Sequence, residues 1–342
     1  MKFDAIRLFS NLQTIGDHAQ AAENLGFDGL WLTETNTDPF LSLTLAAEHS
    51  NTMNVGTAIA LAFPRSPAIL AMLGWDLTRY SQGRFIMGLG SQVRAHNERR
   101  LGVKWEKPVR KLRETIEAMH ALWDCWEHGT PLNYKGEFFR LNLMTPFFTP
   151  EPLPAGVSRP PVYISAVNSL MLRLVGRVCD GVHIHSFHTK QYLEEFARPE
   201  IEVGLRDSGR TWDDVTVNSS IFAIPTDDPD VAREIEQFVK QQISFYMSTP
   251  AYRVVNEMHG WTETSARLGK MARRGEWAEM PSLITDEMLD EMALSGTWAE
   301  LPGKLQARYD GLLDRTGYYL EFTPGERDEA WQTTVAGFRD LS

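Results

Sequence analysis

The chain has 342 residues, of which 43% are hydrophobic and 23% are charged, and its formal net charge is −11. These values are typical of a globular enzyme with a large core, and the acidic balance disfavours nucleic acid or an anionic membrane as the main partner. No apolar run approaches the ~18 residues that a membrane span needs, and the first residues lack the basic and apolar regions of a signal peptide. We therefore expect a soluble cytoplasmic protein.

The first third of the chain alternates short apolar runs with amphipathic segments, which predicts repeated strand–helix units. Strands are predicted over residues 3–8, 30–33, 53–59 and 84–89, and helices over 15–24, 39–48, 67–80 and 108–126. Pro39, Pro67 and Pro108 suit the first turn of a helix, and Gly26 suits a helix C-cap. Because sequential units of this kind pack side by side, we expect the second, third and fourth strands to be adjacent and parallel.

The alternation breaks after residue 130 and then resumes. Residues 132–141 predict a hairpin that turns at 135–136, and a proline-rich loop follows over 145–161. Later units are predicted as strands 162–165, 181–184, 215–224 and 318–322 and as helices 170–177, 191–206, 230–245, 298–313 and 328–338. Eight strands in this order predict a single-domain (β/α)8 TIM barrel over residues 1–342, with insertions near 130–161 and 248–283. The functional site is then expected at the C-terminal ends of the strands.

Polar residues follow two of the predicted strands in the first half of the chain. Glu34 directly follows the second strand, where barrel enzymes keep catalytic residues, and we favour a functional role for it over a solvated loop. His96 follows the fourth strand and is expected on the same face, although a lone loop histidine is more often a surface residue. Gly88-Leu89-Gly90 lacks the third glycine of a dinucleotide fingerprint, so it indicates a barrel strand end rather than a Rossmann fold.

Two further candidate segments lie at the fifth and sixth predicted strands. Residues 165–169 combine small side chains and hydroxyls at the start of a helix, which is typical either of an anion site or of an ordinary N-cap. His183 and His185 project to one face of the sixth strand, so either could line a pocket. No third ligand lies at a diagnostic spacing from them, and we predict no metal site.

The stretch from residue 94 to residue 113 reverses the acidic balance, because eight Lys and Arg residues stand there against two Glu. Arg94, Arg99 and Arg100 could receive an anionic tail of a ligand. A solvated helix face explains the same pattern equally well.

Several segments in a fixed order resemble the bacterial-luciferase-like flavin and deazaflavin oxidoreductases, most of all the branch that uses coenzyme F420. The matching segments are residues 22–31, 45–50, 56–59, 65–67, 81–85, 88–90, 176–177 and 180–181. Each is weak alone, but their order and spacing are specific to the family. The resemblance covers most of the chain and implies a (β/α)8 barrel that is usually dimeric, so we expect a homodimer.

The resemblance also implies where the cofactor binds. In this family the segment matching Thr57, Ala58 and Ile59 carries a non-prolyl cis peptide, and the bulge formed there supports the cofactor ring. By position this cis peptide is Ala58–Ile59 here. Residues 165–168, together with Gly181, match the segment that holds the cofactor phosphate. The cofactor-binding residues expected on this basis are Glu34, Thr57, Ala58, Ile59, Gly90, Ser91, Ser165, Ala166, Val167, Asn168, Gly181 and His183.

One position departs from the family pattern. Deazaflavin dehydrogenases commonly have an Asp-His pair where this chain has Glu34 and Thr35, so the carboxylate is retained and the imidazole is lost. A sugar-phosphate substrate is therefore not carried over, and His96, His183 or His185 could supply the missing group. We take Glu34 and His96 as the catalytic candidates.

The resulting hypothesis is an oxidoreductase that moves a hydride between coenzyme F420 and a small organic substrate, while the protein positions and shields the ring. Aromatic residues in 138–148 and 245–261 would form a substrate lid or a dimer interface. An FMN-dependent monooxygenase on the same barrel is the first alternative, and a non-catalytic flavin-binding barrel is the second.

Overall fold

Eight parallel strands close into a barrel in the structure, a computed structural model that describes residues 1–341. The strands, numbered β1 to β8 in chain order, are Lys2–Arg7, Gly29–Leu32, Asn54–Thr57, Phe85–Gly90, Val162–Ala166, Gly181–Ile184, Thr216–Pro225 and Arg315–Tyr318. Each strand pairs with the next in this order, and the barrel closes where Phe3 of β1 pairs with Thr316 of β8. The predicted (β/α)8 fold is confirmed, and β2, β3 and β4 are adjacent and parallel as expected.

Helices cover the outside of the barrel. Their bounds are Ile15–Leu25, Pro39–Glu48, Pro67–Tyr80, Arg94–Arg99, Pro108–His128, Ser169–Val178, Lys190–Tyr192, Arg198–Ser208, Pro229–Met247, Arg253–Met258, Thr262–Arg274, Asp286–Met292, Leu301–Tyr309 and Asp328–Asp340. A π-helical turn covers Leu193–Ala197, and short 3-10 turns are Pro146–Phe148, Trp212–Asp214, Pro250–Tyr252 and Met280–Leu283. Within residues 1–341, no helix combines the length and the apolar character that crossing a membrane would require.

Local sequence signals set several helix ends as predicted. Pro67 begins its helix, and the Ser66 hydroxyl accepts a hydrogen bond from the Ile69 N–H at 3.3 Å as the N-cap. Asp38 caps the preceding helix in the same way, because its carboxylate accepts from the Phe40 N–H at 2.9 Å. These caps fix where each helix leaves the loop at the C-terminal end of its strand.

Four further short strands lie outside the set of eight barrel strands in the described chain. Tyr134–Lys135 and Arg140–Leu141 form the predicted antiparallel hairpin, but Lys135 pairs with Arg140, so the turn covers residues 136–139 and not 135–136. Ala60–Leu61 pairs with the end of β4. Ala293–Gly296 pairs with the last residues of β7 and was missed, because its four residues include Ser and Gly and carry little strand signal.

The eighth barrel strand lies earlier than predicted. The sequence predicts a strand over 318–322, but the structure ends β8 at Tyr318 and begins it at Arg315. The prediction followed the aromatic run and overlooked Arg315, which a strand interior rarely contains. Arg315 is buried here because it forms an ion pair with Asp4 inside the barrel.

That ion pair fills the N-terminal half of the barrel. Asp4 accepts hydrogen bonds from Arg315 at 2.7 and 2.9 Å and from the Trp31 indole N–H at 2.8 Å. Trp31 packs in turn with Ile86 and Tyr163. Paired charges and aromatic rings therefore close this half of the interior and leave room for a ligand at the opposite end.

Candidate active site

A cavity of about 890 Å³ opens at the C-terminal ends of the barrel strands. Every strand, or the loop that follows it, contributes to the lining. One lining residue from each, in chain order, is Ile6, Trp31, Ala58, Ser91, Ser165, His183, Asn218 and Tyr319. The cavity lies at the end of the barrel where the sequence predicts the functional site, and it is the candidate active site.

The loop after β3 forms a bulge on one side of the cavity. The Ala58–Ile59 peptide bond is cis, as the resemblance implied, and both residues line the cavity. The Ala58 N–H donates to the Leu32 carbonyl at 2.8 Å, and the Ile59 carbonyl accepts from the Glu34 N–H at 3.3 Å. The chain then rejoins the sheet at Ala60–Leu61. Hydrogen bonds to the neighbouring segments therefore hold the bulge on both of its edges.

Two glycines of β4 allow the bulge to pack closely. A Cβ atom at Gly88 would overlap the Thr57 carbonyl oxygen and lie 2.7 Å from His183 Nε2, and a Cβ atom at Gly90 would overlap Ile59. The Thr57 hydroxyl accepts from the Gly88 N–H at 2.8 Å and donates to the Gly88 carbonyl at 2.6 Å. Gly88 and Gly90 are therefore required by packing. The segment lies at the end of a barrel strand, as the sequence indicated.

Glu34 lies behind the bulge with both carboxylate oxygens engaged. They accept hydrogen bonds from Arg65 at 2.8 and 3.0 Å and from the Leu61 N–H at 2.7 Å. The Glu34 and Arg65 side chains are each 14% exposed, and Arg65 also pairs with Asp38. Burial by itself would lower the pKa of Arg65, but its bonds to the two carboxylates outweigh burial and raise that pKa. Glu34 is not among the described residues that line the cavity; it fixes Leu61, two residues beyond Ile59.

The start of the helix Ser169–Val178 borders the cavity and has no side-chain cap. Asn168, at the N-cap position, donates through its side-chain amide to the Ala251 carbonyl at 3.1 Å instead. Leu170 in the first turn is 65% exposed and lines the cavity. The predicted phosphate-binding residues of this segment all line the cavity, namely Ser165, Ala166, Val167 and Asn168. First-turn N–H groups and the helix dipole make this border suited to an anion.

His183 lies deeper in the cavity wall, edge-on to the Trp31 ring at 4.9 Å between centroids. Its Nδ1 accepts from the Asn218 side-chain amide at 3.1 Å, so the neutral ring carries its proton on Nε2. Nε2 is buried near the Thr57 carbonyl, but it donates no well-aligned hydrogen bond to any group of the described chain. Burial, and then the charge of Arg315, lowers the pKa of His183 to about 3. The ring is therefore neutral at physiological pH.

Other predicted residues surround the cavity at different depths. Ser91 lines it, whereas Thr57 and Gly90 support the bulge from within the sheet. Gly181 begins β6 and so lies toward the opposite end of that strand. His96 is exposed on the short helix after β4. The roles assigned to these residues stay predictions.

One group of lining residues was not assigned by the sequence. Tyr246 and Tyr252 pack against His185 at the cavity wall, and Tyr319 lies beside Tyr246. The first two fall in the second predicted lid segment, where the density of aromatic residues was the available signal. Tyr319 gave none, because the sequence placed it inside a strand. Within the described chain, no residue of the first lid segment, 138–148, lines the cavity.

Most cations of the stretch 94–113 are neutralised by carboxylates. Those ion-paired with a nearby glutamate include Lys104, Lys107, Arg110 and Arg113. Arg94 lines the cavity rim, is 72% exposed and pairs with Glu98 at 3.1 Å. Arg100 donates to the Thr35 carbonyl at 3.0 Å. Arg94 is therefore the member of this stretch best placed to meet a ligand.

Sequence comparison finds relatives that span most of the chain. Uncharacterized protein Rv1360 of Mycobacterium tuberculosis is 43% identical over 307 residues, which cover 90% of this chain and 89% of that protein. The 5,10-methylenetetrahydromethanopterin reductase of Archaeoglobus fulgidus is 29% identical over 280 residues, which cover 80% of this chain and 79% of that protein.

Structure comparison shows the same fold in enzymes of two kinds. The coenzyme F420-dependent tetrahydromethanopterin reductase from Methanopyrus kandleri has a TM-score of 0.78 and 21% identity, with 99% of each chain covered. Solved monooxygenases also share the fold. A family model described as luciferase-like monooxygenase matches residues 4–315. An F420-dependent glucose-6-phosphate dehydrogenase of Microbacterium testaceum is 27% identical over 265 residues, which cover 71% of this chain and 75% of that protein. The chain therefore belongs to the luciferase-like monooxygenase family, and its relatives include an F420-dependent oxidoreductase.

Proposed function

We propose that this protein is an oxidoreductase that transfers a hydride between coenzyme F420 and a small organic substrate. The observation that carries the proposal is the cavity, with the Ala58–Ile59 bulge on one side and the uncapped helix start at residues 165–170 on its border. A flat ring system with an anionic side chain has a matching surface there for each of its parts. The F420-dependent reductase of the same fold supports this choice of cofactor.

The residues present fit that cofactor. Ala58 and Ile59 offer an apolar edge for a ring, while the first turn after Asn168 offers N–H groups for a phosphate. Trp105 and Val109 add apolar surface to the cavity lining. When bound, the deazaflavin supplies the hydride donor or acceptor. The chain binds and orients both reactants.

The catalytic assignments of Glu34 and His96 stay predictions, and their surroundings favour different roles. Both carboxylate oxygens of Glu34 accept hydrogen bonds within the protein, from Arg65 and from the Leu61 N–H, which favours a role in positioning the bulge. His96 is exposed on the helix Arg94–Arg99 and is not among the described residues that line the cavity, so a direct role would need a ligand that extends past Arg94. A loss of activity in a His96 variant with unchanged cofactor affinity would support a direct role for that residue.

Cofactor titration of the purified protein tests the proposal. We expect F420 to bind and to change its fluorescence, and we expect no FMN to co-purify. Leu170→Asp places a carboxylate in the first turn beside the expected phosphate and should weaken F420 binding roughly ten-fold, about 1.4 kcal/mol. Thr262→Asp is the matched control, because it adds the same charge at the start of a helix that does not line the cavity.

Other outcomes of that titration select the alternatives. Co-purified FMN with NADH-driven oxygen uptake, and no F420 binding, would identify a monooxygenase. Tight binding of either cofactor without turnover of any redox partner would identify a non-catalytic flavin-binding barrel. Equal losses in the Leu170 and Thr262 variants would refute the proposed phosphate position.

We also propose that the protein is a homodimer. Leu41 on the helix Pro39–Glu48 and Ile69 and Met72 on the helix Pro67–Tyr80 are exposed apolar side chains, and the two helices are in contact. Exposed apolar groups on neighbouring helices are typical of an interface. Sedimentation velocity should show a dimer that Met72→Glu converts to monomer, and a monomeric wild type would refute the proposal.

A further inference from the structure

One wall of the cavity carries an imidazole and three phenol groups from distant parts of the chain. His185 follows β6, and its ring centroid lies 4.2 Å from that of Tyr246 and 4.9 Å from that of Tyr252. The Tyr246 hydroxyl lies 3.3 Å from that of Tyr319, which directly follows β8. All four residues line the cavity. We name them the His185 wall.

The backbone fixes the tautomer of His185. Its Nδ1 accepts a hydrogen bond from the Phe187 N–H at 3.0 Å. A neutral imidazole that accepts at one nitrogen carries its proton on the other, so Nε2 is a donor. Within residues 1–341, no protein group accepts a hydrogen bond from this Nε2, and the atom is not enclosed by the protein. The N–H is therefore available to a ligand in the cavity.

The groups of this wall are uncharged at physiological pH. Burial, and then repulsion from His188 when that ring is protonated, lowers the pKa of His185 to about 3. Burial raises the pKa of Tyr246, so its hydroxyl stays protonated. Burial also raises the pKa values of Tyr252 and Tyr319, so these hydroxyls stay protonated as well.

The rest of the cavity supplies no counter-charge near this wall. Among the described residues that line it, none is Asp, Glu or Lys, and the guanidinium of Arg94 stands at the exposed rim with Glu98 as its partner. A charged group brought against the His185 wall would lose water without gaining an ion pair, which is costly. A neutral oxygen would instead receive one N–H and one O–H donor.

We propose that the His185 Nε2–H and the Tyr246 hydroxyl bind the oxygen atom of the substrate, and that this substrate is an uncharged carbonyl compound or alcohol. The proposal rests on the proposed function, because it identifies the substrate class of the same cavity. Tyr319 is a positioning residue that orients the Tyr246 hydroxyl through their 3.3 Å contact. Neutral donors held in place in this way bind an oxygen more strongly as it gains negative charge.

Ligand selectivity of the full chain, with and without F420, tests the proposal. The probes are cyclohexanone, cyclohexanol, cyclohexanecarboxylate and cyclohexylammonium, which share one ring and differ in charge. Calorimetric titration should show binding of the ketone and the alcohol, with at least ten-fold weaker binding of both ions. Carboxylate binding as tight as ketone binding would overturn the proposal.

Variants identify the donors. Tyr246→Phe should weaken cyclohexanone binding roughly three- to ten-fold, with F420 affinity unchanged. His185→Phe should do the same, and His185→Gln, which keeps an N–H donor, should recover part of the loss. Tyr134→Phe is the control, because the Tyr134 hydroxyl bonds Glu117 outside the cavity. Unchanged ketone affinity in both Tyr246→Phe and His185→Phe would overturn the assignment.

Imidazole ¹⁵N spectra add a readout that is independent of activity and of variant folding. They should show the His185 proton on Nε2, and cyclohexanone should shift that signal; a proton on Nδ1 would overturn the proposal. F420 binding separates the two hypotheses. If F420 binds and the selectivity is absent, the substrate class fails alone. If the selectivity persists and F420 does not bind, the proposed function fails.

Discussion

Glu34→Ala tests whether this carboxylate positions the bulge or acts on the ligand. The change removes the acceptor of the Leu61 N–H and one of the two carboxylate partners of Arg65. Both side chains of the Glu34–Arg65 pair are 14% exposed, so the free energy lost on disrupting it should lie between two limits. Disrupting a surface ion pair costs at most about 1 kcal/mol, and disrupting a buried pair costs about 3–5 kcal/mol. We expect a loss of about 2–4 kcal/mol in the free energy of unfolding.

Urea unfolding measures this loss, and two variants calibrate it. An unchanged m-value would show that the loss is one of stability rather than of compactness. Asp38→Asn removes the charge of the other carboxylate partner of Arg65 and keeps an acceptor for the helix cap. Because the Asp38 side chain is 42% exposed, this change should lower the free energy of unfolding by about 1 kcal/mol or less. Glu34→Gln keeps an acceptor for the Leu61 N–H and should recover part of the loss.

Cofactor affinity then separates the two roles. If Glu34 positions the bulge, F420 affinity and stability should fall together in Glu34→Ala, and Arg65→Ala should show the same pattern. The double variant should then show a coupling of about 2 kcal/mol between the two residues. A Glu34→Ala protein with wild-type stability and no turnover would refute the positioning role and identify a group that acts directly on a ligand.

Three further outcomes follow from the contacts described above. Gly88→Ala should cost about 3 kcal/mol of stability, because its Cβ atom would overlap the Thr57 carbonyl oxygen directly before the bulge. Gly303→Ala should gain about 0.5–1 kcal/mol, because Gly303 is exposed on its helix with open space around it; equal urea midpoints would refute this. Burial acts to raise the pKa of half-buried Glu23, but three backbone N–H groups outweigh it and lower that pKa to about 2. Glu23→Gln should therefore cost about 1–2 kcal/mol at pH 7, and the difference should vanish as the pH falls from 4.5 toward 2, whereas a constant difference would contradict it. Arg94→Ala should weaken F420 binding by about 0.5–1 kcal/mol, and by less at high salt, while FMN affinity stays unchanged. Arg233→Ala, the remote control, should leave F420 affinity unchanged. Equal effects of Arg94→Ala on both cofactors would identify Arg94 as part of a solvated helix face.

The barrel could be predicted because its signals are local. Apolar runs, prolines at first turns such as Pro67 and the C-cap at Gly26 each act within a few residues, and their repetition fixes the fold class. The eighth strand was misplaced because Arg315 breaks the apolar pattern. Its partner Asp4 lies 311 residues away, and a pairing over that distance leaves no trace in local sequence.

The site could be predicted only where it also is local. Ala58 and Ile59 directly follow β3, and the segment 165–168 spans the end of β5 and the residues after it, so each is local to one strand end, and all of them line the cavity. The His185 wall, by contrast, combines residues from separate parts of the chain. His185 follows β6, Tyr319 follows β8, and Tyr246 lies on the helix Pro229–Met247, so their proximity depends on barrel closure. The bonds of Glu34 to Arg65 likewise depend on the path of the bulge, and a sequence window around Glu34 shows only a free carboxylate.

The polar groups inside the barrel are sorted by charge along its axis, and this sorting bears on the chemistry. In the N-terminal half, Asp4 and Arg315 are charged and neutralise each other. At the cavity, His183 and His185 are neutral because burial lowers the pKa of each to about 3. A ligand therefore meets oriented dipoles there, while the anion-suited helix start at residues 165–170 lies on the border. Such a cavity would hold a cofactor by its charged end and react at its neutral end, which suits hydride exchange between two uncharged partners better than chemistry that needs a free carboxylate.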